Sequence, residues 1–122
     1  MKELQFRIDC LDGSYCFSCR KEDNLSYDTD TNIKGLENVQ GELDQAGTAE
    51  FMKCLEKAQI GKWDEEYRGD NPIEDGISWS LVYIDEEREI KSSGIESFEP
   101  YCFEYLLKAV KLCDKQLEYF GW

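Results

Sequence analysis

The chain has 122 residues, 27 Asp and Glu against 14 Lys and Arg, a formal net charge of −13, and no histidine. Without histidine it lacks the usual neutral-pH proton shuttle and the commonest metal ligand. A negative field of this size repels nucleic acid and attracts basic surfaces, so the composition argues against direct nucleic-acid contact and favours a binding protein over an enzyme.

The length predicts one domain, residues 1–122. With 41% hydrophobic and 13% aromatic residues the chain has enough apolar surface for a core despite its charge. The opening MKELQFRIDC has no apolar h-region, so no secretory signal is read there. No run approaches the ~20 apolar residues that span a bilayer. These features predict a cytoplasmic protein without membrane contact.

Residues 4–10 alternate: Leu4, Phe6, Ile8 and Cys10 point one way, Gln5, Arg7 and Asp9 the other. Asp12-Gly13 is a strong hairpin signal. With those two residues as the loop, Cys10 faces Tyr15, Ile8 faces Phe17, Phe6 faces Cys19, and all six share one face. Residues 21–47 are acidic, punctuated by Gly and Asn, and hold one further strand at Leu25–Thr29 or Leu36–Leu43. Thr48 then opens a helix from Ala49 to Ile60, with Gly61 as its left-handed stop and a core stripe of Phe51, Leu55 and Ala58 beside Cys54. Trp63 follows, then an acidic loop closed by Asn71-Pro72 and Asp75-Gly76.

A second hairpin places Ile77, Trp79, Leu81 and Tyr83 on one face and Ser78, Ser80, Val82 and Ile84 on the other. A turn at Glu86-Glu87 sets Tyr83 opposite Ile90 and Trp79 opposite Gly94, where the missing side chain leaves room for the indole. Glu-Glu is poor turn chemistry, which argues for a longer loop. The last helix runs from about Pro100 to Leu117 with a stripe of Phe103, Leu106, Leu107, Val110, Cys113 and Leu117. The predicted fold is α+β: an antiparallel sheet of two β-hairpins plus one further strand, two helices on one face, order ββ(β)αββα. Phe6, Ile8, Phe17, Phe51, Leu55, Trp79, Leu81, Phe103, Leu106 and Val110 form its core.

Trp63, the run Asp75-Gly76-x-Ser78-Trp79-Ser80-Leu81, then Ile90-Lys91-Ser92-Ser93-Gly94, then Phe98-Glu99-Pro100 and a closing helix together resemble a recurring domain of small bacterial proteins seen in gut Firmicutes and Bacteroidetes. The resemblance covers roughly the second half of the chain. It departs at Ile95-Glu96, where that family tends to have Ser-Asn. It implies the α+β fold and a bacterial origin, and no activity.

Among the chemistry-bearing motifs, Cys16-Phe17-Ser18-Cys19 spells C-x-x-C near Cys10. Residues three apart on a strand point to opposite faces, so these sulfurs diverge, and neither zinc nor a redox site is expected. All six cysteines, which also include Cys54, Cys102 and Cys113, read as reduced thiols. Asp28-x-Asp30-x-Asn32 imitates the start of an EF-hand loop but has Ile33 at the sixth position and Val39 at the twelfth. The carboxylate pairs around Asp64–Glu66 and Glu74-Asp75 sit in charged loops with nothing to raise a pKa. Ser92-Ser93 has no base to activate it. No catalytic residue, metal or cofactor is assigned.

What remains is acid density, in residues 22–44, 64–75 and 85–99. Carboxylates on alternate strand residues lie ~6.8 Å apart, a spacing able to follow phosphates, and interleaved aromatics supply the anchors that interfaces use. Asp28, Asp30, Trp63, Asp64, Glu65, Glu66, Tyr67 and Asp70 are the candidate partner-binding residues. The expected partner is a protein with a basic surface, and the expected role is an acidic inhibitor: a nucleic-acid mimic of the anti-CRISPR type or an immunity protein. The alternative is a housekeeping or surface-derived domain with no charge-driven partner, and an enzyme ranks third.

Overall fold

A computed structural model describes residues 1–67, 76–95 and 100–121. Seven strands form one sheet: β1 (Glu3–Cys10), β2 (Gly13–Lys21), β3 (Leu25–Thr31), β4 (Gln40–Glu42), β5 (Glu66–Tyr67), β6 (Ser78–Ile84) and β7 (Glu89–Ile95). Helix α1 (Gln45–Ala58) lies between β4 and β5 and α2 (Phe103–Cys113) follows β7, each trailed by a 3₁₀ segment, Ile60–Lys62 and Lys115–Phe120. The spatial order is β4-β3-β2-β1-β6-β7-β5. All neighbours are antiparallel except β5 and β7, which run parallel, so the sheet is mixed rather than purely antiparallel. Both sequence candidates for a further strand are present, as β3 and the short edge strand β4.

The alternation of β1 is what organises the sheet. Leu4, Phe6 and Ile8 are buried, and each sits between partners on both neighbouring strands: Phe6 between Phe17 and Leu81, Ile8 between Tyr15 and Trp79. The helices cover this face. Phe51 of α1 stacks on Phe17 with centroids 6.4 Å apart, and Phe103 of α2 meets Phe6 edge-on at 6.0 Å. The ten residues expected in the core are all buried.

The first hairpin pairs Leu4 with Cys19, Phe6 with Phe17 and Ile8 with Tyr15, two residues away from the expected register. Its loop is Leu11-Asp12, and Gly13 has moved into β2. The cause lies in the neighbouring loop. Asn32 Oδ1 accepts from Ser14 N at 2.8 Å, and a Cβ on Gly13, whose φ is +135°, would stand 2.2 Å from that oxygen. Only a glycine fits there. A slip of two keeps every side chain on its expected face. The second hairpin has the expected pairs, Tyr83 with Ile90 and Trp79 with Gly94. Its loop spans residues 85–88, because the Asp85 carboxylate accepts from Glu87 N and Arg88 N, both at 2.9 Å, and organises the turn that Glu-Glu could not.

Helix α1 starts before Thr48. Asp44 is its N-cap and accepts from Gly47 N at 2.7 Å. Thr48 instead pins the sheet to the helix, its hydroxyl accepting from Leu25 N at 3.0 Å. The left-handed residue that ends α1 is Gln59, with φ 53°, not Gly61. Gly61 serves close approach: a Cβ there would stand 2.7 Å from the Arg88 guanidinium. The last helix stops at Cys113, and Leu117 belongs to the 3₁₀ segment behind it. Asp114 makes that break. Its buried carboxylate accepts from Tyr15 Oη at 2.8 Å and from Gln116 N at 3.1 Å. The Gln116 amide in turn exchanges two 2.9 Å bonds with the backbone of Glu37, fastening the loop after β3.

Trp79 is 2% exposed and packs against Phe103 at 4.9 Å, Trp63 at 5.9 Å and Tyr67 at 6.0 Å. Truncating it to alanine is expected to lower unfolding stability by about 3–5 kcal/mol, read from urea midpoints at constant m. A loss under about 1 kcal/mol would mean that the indole does not hold the two layers together.

Candidate functional site

The side of the sheet away from the helices carries the polar halves of the alternating strands. Cross-strand register arranges them in rows. One row runs Glu42, Ser26, Arg20, Glu3, Ile84, Glu89. The next runs Gln40, Asp28, Ser18, Gln5, Val82, Lys91. A third runs Asp30, Cys16, Arg7, Ser80, Ser93, Glu66. A shorter fourth holds Ser14, Asp9, Ser78 and Ile95. No described helix covers this face: Gln5, Arg7, Arg20, Ser26, Asp28 and Asp30 are exposed.

Charge on this face is lopsided. Its three cations are matched internally: Arg7 with Asp9 at 3.1 Å, Arg20 with Glu3 at 2.8 Å and Lys91 with Glu89 at 3.7 Å. Asp9 holds the Arg7 guanidinium above its ordinary pKa through that hydrogen bond. The carboxylates of Asp28 and Asp30 make no hydrogen bond or ion pair with the described residues. The helical segments are different. Residues 45–62 and 103–120 hold six lysines against five acids, a net +1, so the remainder of the chain holds −14.

The candidates named from sequence fall into three places. Asp28 and Asp30 lie on the open face of β3, and Glu66 lies on the same face at the opposite edge, in β5. Five strand spacings, about 24 Å, separate them, so they form no single cluster. Asp64 and Glu65 are exposed, and their backbones are bolted to β7. Ser92 Oγ donates to the Asp64 carbonyl at 2.6 Å and Ser93 N to the Glu65 carbonyl at 2.9 Å. Those serines therefore work as loop fasteners. Trp63 and Tyr67 spend their rings on the core. Trp63 Nε1 donates to the Ala58 carbonyl at 2.8 Å, satisfying an orphan at the end of α1, and its ring packs on Trp79 and Phe103. Tyr67 packs on Trp79 and its hydroxyl accepts from Asp64 N at 2.7 Å. Asp70 lies outside the described residues. The polar rows on β1 and β2, with Gln5, Arg7, Ser18 and Arg20, were missed, although the period-two pattern that marks the core also marks them.

The cysteines diverge as strand geometry requires. Cys16 lies half-buried on the open face and Cys19 is buried on the helix side. All six are free thiols, and among the described residues no group of three or more Cys, Asp or Glu is placed to hold a metal ion. Burial pushes the Cys113 thiol up to about 12, with Asp114 adding to the shift. Burial also raises Cys19 and, together with its bond to Asp114, Tyr15. Such thiols are poor nucleophiles. Among the described residues no helix is long and apolar enough to cross a membrane.

Compared with known proteins, the chain matches no family model and no curated sequence.

The raised groups fix the sign of an alkaline response. In the unfolded chain a thiol ionises near its ordinary value of 9, while folded Cys113 holds its proton to about 12. The stability it contributes is therefore intact below pH 9 and is lost progressively as pH rises toward 12. Urea midpoints measured across that window are expected to fall, and Cys113→Ala to flatten part of the slope. A midpoint that holds steady throughout would contradict this.

Proposed function

We propose that this chain is a non-enzymatic acidic binding protein that engages a basic protein surface of the kind that otherwise holds nucleic acid. The role is that of an inhibitor, either a nucleic-acid mimic of the anti-CRISPR type or an immunity protein. The observation that carries this reading is the acid excess of the open sheet face, where Glu3, Asp9, Asp28, Asp30, Glu42, Glu66 and Glu89 stand against Arg7, Arg20 and Lys91. A uniformly acidic coat serves solubility, whereas a one-sided charge orients the molecule in the field of a partner and speeds encounter. Ion pairing of Arg7, Arg20 and Lys91 with Asp9, Glu3 and Glu89 leaves the acid excess of that face intact. The rival reading, a domain without a charge-driven partner, draws on one observation: Trp63 and Tyr67, the aromatic anchors an interface would use, are turned into the core.

The two readings separate on salt. Immobilised protein is exposed to lysate of the native host in low salt, where the Debye length is ~30 Å, and washed at 1 M, where it is ~3 Å. The inhibitor reading expects basic proteins to be retained in the first condition and released in the second. Partners whose retention ignores salt, or no partner in either condition, would favour the rival.

A further inference from the structure

We infer that the open face of the sheet is the docking surface, and that its occupant is a protein presenting arginine and lysine side chains. The inference rests on the reading above and assigns it a place. Six strands, five spacings across, and four rows, three spacings deep, give the face about 24 by 20 Å between its outermost residues, in the size range of weak, transient complexes. Its floor is short: Ser14, Ser18, Ser26, Ser78, Ser80 and Ser93 let a partner approach the backbone. Val82 and Ile84, neighbours on this face of β6, are half-buried and add a small apolar strip.

Two depressions flank β1 on this face. One, of about 400 Å³, is lined by Gln5, Ser18, Ser26, Asp28 and Gln40. The other, of about 460 Å³, is lined by Glu66, Ser80, Val82, Lys91 and Ser93. The first opens beside Asp28, whose carboxylate makes no hydrogen bond or ion pair with the described residues and, like any carboxylate, can accept two N–H bonds from one guanidinium. The charges decide against other occupants. The face carries Glu3, Asp9, Asp28, Asp30, Glu42, Glu66 and Glu89 against Arg7, Arg20 and Lys91, so a second copy or a nucleic acid laid on it meets like charge.

The probe is a synthetic arginine-rich peptide, titrated at low salt into the ¹⁵N-labelled full chain and into two double variants. Asp28→Lys with Asp30→Lys alters the face. Glu50→Lys with Glu56→Lys alters exposed positions of α1 by the same charge. Amide shifts are expected to concentrate on β1, β2, β3 and β6. The face variant is expected to bind about tenfold more weakly or worse, and the helix variant within about twofold of the parent. Should the lysines unfold the sheet, as circular dichroism would show, Asp28→Asn with Asp30→Asn is read instead. Equal weakening of both variants would overturn the docking face while leaving the basic-partner reading intact. A parent chain that fails to bind the peptide at low salt would sink that reading itself. A parent that sediments as a dimer, with Asp28→Lys and Asp30→Lys abolishing the dimer, would make a second copy the occupant and overturn the proposal.

Discussion

Strand β1 is hydrogen-bonded along both edges, and its side chains alternate without a break between core and solvent. That alternation is the constraint on which the rest depends. Because Leu4, Phe6 and Ile8 must be dry, the neighbours opposite them on β2 and β6 must be dry as well, and the helices must lie on that side. Gln5, Arg7 and Asp9 are then committed to the other side, together with every strand residue in phase with them. The hydrophobic effect thus places the charged surface indirectly, by claiming the opposite one.

Electrostatics follows from that division. The helices cover the apolar face with Lys53, Lys57, Lys108 and Lys111 among their polar residues, and Lys57 and Lys108 lie over the Tyr105 ring at 5.8 and 4.9 Å. The acids are left to the strands and connecting segments. Long-range repulsion among them costs stability. The fold tolerates this because its core is anchored by large aromatics in mutual contact: Phe6, Phe17, Phe51, Trp79 and Phe103.

Much of this architecture was legible in the sequence, for reasons tied to particular residues. Period two in residues 4–10 and 77–84 identified both hairpins and the correct face of each residue. It was blind to the two-residue slip of the first hairpin, because parity is unchanged and the contact that goes with it, Asn32 against Gly13, comes from the loop after β3. Strand β5 is two residues long, too short for any pattern to register, and β4, three residues long, showed only as part of the broader candidate Leu36–Leu43. The N-cap Asp44 was legible as a residue type but masked by Thr48, an equally good capper whose hydroxyl has another task. The site fared worse than the fold. Clustering of acids along the chain did not foretell clustering in space, since Asp28 and Glu66 lie at opposite sides of the sheet. Trp63 is the exception: directly after a helix it reads more readily as a core plug than as an anchor, and it does pack on Trp79 and Phe103.

The central position of β1 has a kinetic side. Its first edge is filled at once by β2 through a two-residue loop, but its second edge waits for β6, which puts Tyr83 opposite Leu4. Emerging from the ribosome, β1, β2 and β3 therefore form a partial sheet with an open strand edge and a bare apolar face bearing Phe6 and Phe17, the kind of surface on which nascent chains aggregate. Pairing across so long a separation closes slowly. Glu3, Arg7 and Asp9 on that same strand, with Glu22, Asp23, Asp28 and Asp30 just behind, are charges of the kind that disfavour pairing between such edges. The acid density that marks the finished surface thus also sets like charges on half-made sheets, which repel one another until β6 closes the edge of β1.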